Sequence, residues 1–260
     1  MSYVNRIKTL VEVLSFLRYL KMSRRPPGVE HGVFNTTSTD GVELFCTLLG
    51  RNPEKVVVVA HPAVVGGYYE HVVALAEVLS SSFSVVLFDF RGHGRSTGRC
   101  PLGFLKASED LEAVVKRVRS MGFERIGVAG FSMGAAAAML LASRDKCFDV
   151  LVSIGCPPRM PAIPLFEKHP RMLSAACRIL DMRFDPIFDN DPCPIDVAVR
   201  LPGIPKLLIF GEFEVVPPEE ISEFTELVSG PKTILTVPGA WHADLMGREG
   251  LVSQWFCENL

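Results

Sequence analysis

The chain has 260 residues, 48% of them hydrophobic, which is enough to bury a substantial core at a length that α/β folds often fill as one domain. A formal charge of −2 gives no reason to expect a nucleic-acid partner, and no run reaches the ~18 consecutive apolar residues of a membrane span. Seven scattered cysteines, an odd number without a C-x-x-C pair, suggest neither a metal site nor a disulfide framework and fit reduced thiols in the cytoplasm.

Tyr3 to Met22 reads as one amphipathic helix. Val4, Ile7, Val11 and Leu14 form a stripe that Leu10 and Leu17 widen. Arg6, Lys8, Glu12, Arg18 and Lys21 interrupt what would be the apolar region of a secretory signal, and Pro26-Pro27 stop the helix. A basic amphipathic helix can lie on an anionic membrane, which makes residues 1–25 a candidate peripheral contact. The favoured reading is a helix docked on the protein body, with residues 1–30 as helix and linker and 31–260 as the main domain.

Val33 to Leu49 reads as a hairpin turning at Thr39-Asp40-Gly41. Lys55–Ala60, Ser84–Phe90, Arg125–Ala129 and Phe148–Ile154 follow as short apolar strands of the kind buried on both faces. Helical patterns at Tyr69–Ser80, Leu102–Met121 and Ser132–Ser143 separate them. From Pro157 to about Pro194 the pattern loosens into a proline-rich stretch that reads as a small cap, with one helical segment near Arg171 to Met182. Alternation resumes with strand Lys206–Phe210, helix Pro218–Val228, strand Thr233–Val237 and a final helix from Asp244 to Glu258. Strand alternating with helix predicts an α/β fold: a doubly wound, mostly parallel sheet with an antiparallel N-terminal hairpin and a small cap insertion at about 157–194.

The chemistry is concentrated in four loops. Gly130-Phe131-Ser132-Met133-Gly134 lies between a strand and a run of strong helix formers, the context of a nucleophile elbow. Small residues at 130 and 134 relieve a turn too tight for side chains and leave Ser132 projecting at a helix N-terminus. A serine hydroxyl needs a base within hydrogen-bond reach and a third group to orient that base. His242, in Gly239-Ala240-Trp241-His242-Ala243-Asp244, is the best base among six histidines, because its loop follows a strand whose carboxyl end converges on the same crevice. Gly211-Glu212-Phe213-Glu214 offers two carboxylates and no aspartate. Glu214 is preferred from its spacing to Gly211 and Pro217, with Glu212 the alternative. The oxyanion of an acyl-transfer step needs two N–H donors. Met133, directly after the serine, supplies one. Pro62 has no N–H, so Ala63 in His61-Pro62-Ala63 is the expected second, with His61 shaping the loop.

Taken together these residues resemble the alpha/beta-hydrolase superfamily over about residues 33 to 258, in the manner of its small-cap esterases and serine-aminopeptidase-like members. His61-Pro62 with Gly66-Gly67 looks like the oxyanion loop, Asp89 to Ser96 like the D-x-R-G-x-G-x-S segment, Gly130 to Gly134 like the elbow and Gly239 to Asp244 like the histidine loop. The chain departs from the pattern in having Glu214 where aspartate is usual. The resemblance implies that Asp89–Ser96 is a structural loop, with neither Arg91 nor His93 catalytic. It implies a serine hydrolase of carboxylic esters that needs no cofactor and acts on a small-molecule acyl substrate. Ile163, Leu165 and Phe166 of the cap are then expected to line a pocket for a short or medium acyl chain. A thioesterase, lipase or peptidase, or a catalytically silent binding protein of the same fold, are the alternatives.

Overall fold

The computed structural model describes residues 25–63, 65–160, 183–188 and 191–260. The expected N-terminal helix at Tyr3 to Met22, most of the expected cap, and Ile163, Leu165 and Phe166 lie outside these residues.

Strands β1 (His31–Thr37) and β2 (Glu43–Leu49) form the antiparallel hairpin. Then come β3 (Lys55–Ala60), helix α1 (Glu70–Leu79), β4 (Ser84–Phe88), the short β5 (Cys100–Leu102), α2 (Leu105–Ser120), β6 (Arg125–Phe131), α3 (Met133–Arg144) and β7 (Val150–Ile154). The chain continues with β8 (Phe184–Phe188), a single turn α4 (Pro194–Val197) running into a 3₁₀ turn, β9 (Lys206–Phe213), α5 (Pro218–Leu227), β10 (Lys232–Trp241) and α6 (Glu249–Asn259). Eight strands make one sheet in the order β1-β2-β4-β3-β6-β7-β9-β10, while β5 and β8 pair separately. From β4 to β10 every neighbouring pair in the large sheet is parallel; β2 runs antiparallel to both β1 and β4.

Period-2 alternation distributes the core. In β3, Val56, Val58 and Ala60 face the side covered by α2, α3 and α5, whereas Val57 and Val59 face α1 and α6; all five are fully buried. A strand buried on both faces therefore reads as an unbroken apolar run. Right-handed crossovers fix which helix lies where. Only the β3–α1–β4 connection moves toward the hairpin, so α1 lies on the opposite face from α2, α3 and α5. The strand order consequently reverses between β3 and β6. At such a switch point the loops leaving two adjacent strands part to opposite faces and leave a crevice at the carboxyl ends.

The structure corrects several expected boundaries. Strand β6 runs on to Phe131, β9 to Phe213 and β10 to Trp241, the last through an irregularity between Val237 and Trp241. Helix α6 starts at Glu249 rather than Asp244, because Ala243 and Met246 have φ of 54° and 49°, incompatible with a helix. Helix α2 starts at Leu105, since residues 100–102 pair with β8 instead. No described helix is long and apolar enough to cross a membrane.

Candidate active site

The crevice at the switch point is built on an unfavourable backbone. Ser132, between β6 and α3, has φ 47° and ψ −109°, a conformation that costs a non-glycine residue roughly 1–3 kcal/mol. Its surroundings hold it there. The Ser132 N–H donates to the Ile154 carbonyl of β7 at 2.8 Å, and its own carbonyl accepts the Ala136 N–H at 3.0 Å. Neither flanking glycine tolerates a side chain. A Cβ at Gly130 would stand 2.5 Å from Ala135 N, and one at Gly134 would stand 2.3 Å from the Ala60 carbonyl oxygen. The second contact presses the elbow against the end of β3, where the His61-Pro62-Ala63 segment begins.

The histidine arrives from the far side of the sheet. Strand β10 ends at Trp241, and His242 follows directly with its side chain 9% exposed. His242 Nε2 lies 2.9 Å from Ser132 Oγ, and Nδ1 lies 2.5 Å from Glu214 Oε2. A carboxylate only accepts, so Nδ1 carries the proton and Nε2 presents its lone pair to the serine O–H. Glu214 sits just past β9 with its side chain 4% exposed, and its Oε1 accepts the Gly211 N–H at 3.0 Å. Burial pushes this carboxyl up. The charge and hydrogen bond of His242, with the N–H groups of Gly211 and Val215, outweigh burial and hold it below its ordinary value.

Glu212 is placed differently. It lies within β9 rather than in the loop, is exposed, and accepts the Gly239 N–H at 2.7 Å, bracing the turn that leads to His242. Two glycines set the approach of the histidine loop: Gly211, read from the sequence only as a spacing mark for Glu214, and Gly155, not noted there. A Cβ at Gly211 would meet the Trp241 carbonyl oxygen at 2.5 Å, and one at Gly155, after β7, would meet Ala243 N at 2.7 Å. Their one visible signal is a glycine at the end of an apolar strand.

Met133 opens α3, and the first N–H groups of a helix have no intrahelical acceptor, so its donor is available beside the serine at the positive end of the helix. Ala63 is half-buried next to His61 and Pro62. His61, fully buried, donates Nδ1–H to the Pro62 carbonyl at 2.7 Å and accepts the Phe90 N–H on Nε2 at 2.9 Å. Arg91 is buried between Asp110, which takes its Nε and Nη2, and Asp40. The Arg91 hydrogen bond holds the Asp40 carboxyl down to about 2. His93 is buried with Nδ1 2.9 Å from the Arg91 carbonyl oxygen. Cys156, also wholly buried nearby, has its thiol pushed up by burial, which leaves it un-ionised and a poor nucleophile. Among the described residues no group of three His, Cys, Asp or Glu side chains could hold a metal ion.

Residues 56–249 match the sequence profile described as the alpha/beta hydrolase family. The chain belongs to that family. Among solved structures, this alpha/beta hydrolase is similar to the Pyrococcus furiosus esterase Pf2001, at 25% identity and a TM-score of 0.71 over 92% of this chain and 97% of that one. It also resembles a thermophilic esterase from Thermogutta terrifontis (20% identity, TM-score 0.65, 88% of this chain and 97% of that one). A third likeness is to the alpha/beta hydrolase GrgF from Penicillium sp. sh18 (14% identity, TM-score 0.72, 88% and 97%). The last two likenesses establish the fold alone.

Proposed function

We propose that this alpha/beta hydrolase is a serine esterase that cleaves carboxylic esters through an acyl-enzyme. The observation that carries the reading is the continuous line Ser132 Oγ–His242 Nε2 at 2.9 Å and His242 Nδ1–Glu214 Oε2 at 2.5 Å. The esterase named among the structural relatives, at 25% identity, supports the ester class.

Ser132 Oγ attacks the ester carbonyl carbon as its proton passes to His242 Nε2. The carbonyl π pair moves onto oxygen, where the Met133 and Ala63 backbone N–H groups receive it. Glu214 keeps the Nδ1–H tautomer in place and faces the imidazolium that forms; it takes no proton itself. Collapse of the tetrahedral intermediate breaks the bond to the alcohol, which leaves with the Nε2 proton. A water then attacks the acyl-serine, giving its proton to Nε2, and the carboxylic acid departs as Nε2 passes that proton to Ser132 Oγ. Every proton passes through Ser132 Oγ and His242 Nε2, with Glu214 only orienting the imidazole, so the scheme calls for no cofactor.

Hydrolysis of p-nitrophenyl acetate tests the reading. Turnover far above background that is abolished in both Ser132→Ala and His242→Ala is the expected result. Background turnover in the folded wild type, or a Ser132→Ala variant that keeps its rate, would overturn it. A series of p-nitrophenyl esters of rising acyl length, beside thioesters and aminoacyl amides, then fixes the acyl class.

A further inference from the structure

The D-x-R-G-x-G-x-S segment takes no part in the steps above, yet its first two residues grip both ends of the loop expected to supply the second oxyanion donor. Strands β3 and β4 are parallel neighbours with Val59 opposite Leu87, so His61 and Asp89 leave the sheet side by side. At the near end of the loop, the Phe90 N–H donates to His61 Nε2 at 2.9 Å, and His61 Nδ1–H fixes the Pro62 carbonyl at 2.7 Å. At the far end, the Gly67 N–H donates to Asp89 Oδ1 at 2.6 Å. The same carboxylate is held from behind, its Oδ2 accepting the Arg95 N–H at 3.0 Å, while Ser96 Oγ fixes the backbone by donating to the Asp89 main-chain carbonyl at 2.5 Å. His61, Asp89 and Phe90 are all 2% exposed or less, so these bonds do not compete with water.

We propose that Asp89 and His61 are positioning residues that clamp the 61–67 segment and thereby set the alignment of the Ala63 N–H toward the oxyanion. The proposal rests on the serine-esterase reading. Neither residue touches the substrate. Their contribution is realised when negative charge develops on the carbonyl oxygen, and therefore falls on kcat rather than on KM.

The test pairs steady-state kinetics on p-nitrophenyl acetate with inhibition by phenylboronic acid. Boron accepts the Ser132 Oγ pair to form a tetrahedral boronate whose oxygen occupies the oxyanion position, while the serine proton passes to His242. Asp89→Ala and His61→Ala should each lower kcat about ten- to a hundredfold, less than the 10²–10³ expected for outright loss of a donor, with KM unchanged within about threefold. The boronate Ki should rise by the same factor as kcat falls. Asp89→Asn, which keeps one acceptor, should fall between wild type and Asp89→Ala. His61→Gln, whose amide oxygen can take the Phe90 N–H, should recover most of the loss. These two milder variants read the clamp if the alanine variants fail to fold. Folded variants with unaltered kcat and Ki, or with a change confined to KM, would overturn the clamp. A wild type that phenylboronic acid does not inhibit, together with an active Ser132→Ala, would instead overturn the serine reading and the clamp with it.

Discussion

Glu214 Oε2 stands 2.5 Å from His242 Nδ1, whereas Glu212, two residues earlier, turns its carboxylate to the Gly239 N–H at 2.7 Å. The two acids of one short segment thus have separate tasks, and mutation separates them. Glu214→Gln should lower kcat on the order of 10³–10⁴-fold, because an amide at this position favours the wrong imidazole tautomer. Glu212→Gln, which removes the exposed charge but keeps an oxygen for the Gly239 N–H, should leave kcat within about threefold. Steady-state kinetics of the two variants on one p-nitrophenyl ester checks both.

The same carboxyl should couple stability to pH. Its folded-state pKa lies below the ordinary glutamate value of 4.5, so as pH falls through 4.5 the unfolded chain takes up protons that the folded chain does not. The stabilisation is fully present above that value and drains away below it. Urea unfolding at pH 6, 5, 4 and 3 should show the stability of wild type falling relative to Glu214→Gln across the acid half of the series. A constant difference between the two proteins would contradict the linkage.

Backbone crowding at the elbow predicts opposite signs for two glycine-to-alanine changes. At Gly134 the added methyl would meet the Ala60 carbonyl oxygen at 2.3 Å, and both groups belong to elements packed in the core. Gly134→Ala should cost several kcal/mol, at or beyond the upper end of the ~1–3 kcal/mol usual for overpacking, or prevent folding. Gly250 lies in α6 with open space around its Cβ position. Gly250→Ala should stabilise by about 0.5–1 kcal/mol through helix propensity. Denaturation midpoints of the two variants decide the matter.

Arg91 joins three parts of the fold: the hairpin turn at Asp40, helix α2 at Asp110 and the loop after β4. Asp110 is fully buried and is the carboxylate partner of Arg91 Nε, so Asp110→Ala leaves that buried N–H without its acceptor and should cost about 3–5 kcal/mol. Asp40 is partly exposed, and water can replace its carboxylate. Asp40→Asn should therefore cost much less, and thermal unfolding of the two variants should rank them in that order.

Much of this arrangement was legible in the residues. The apolar runs of β3, β4 and β7 announce strands buried on both faces, and Ser132, Glu214 and His242 meet as their loops suggested. What escaped had physical reasons. The extensions of β9 and β10 carry Glu212, Pro238 and Gly239, residues that depress β propensity; Glu212 is tolerated where β9 has run past its last pairing with β7 at Ile209, and Pro238 and Gly239 on the edge strand β10 within its irregular pairing. The β5–β8 pair is a contact between segments more than eighty residues apart, one of them three residues long, with no periodicity to read. Gly155 and Gly211 matter because of the backbone opposite them, and a single sequence does not say which backbone that is.

The proposed ester hydrolysis requires Ser132 to be an activated nucleophile, and a fluorophosphonate probe reads that directly. Intact-mass analysis with peptide mapping should find one adduct per wild-type chain, on Ser132, none in Ser132→Ala, and greatly slowed labelling in His242→Ala. An adduct that persists in Ser132→Ala, or labelling of wild type no faster than of His242→Ala, would contradict it.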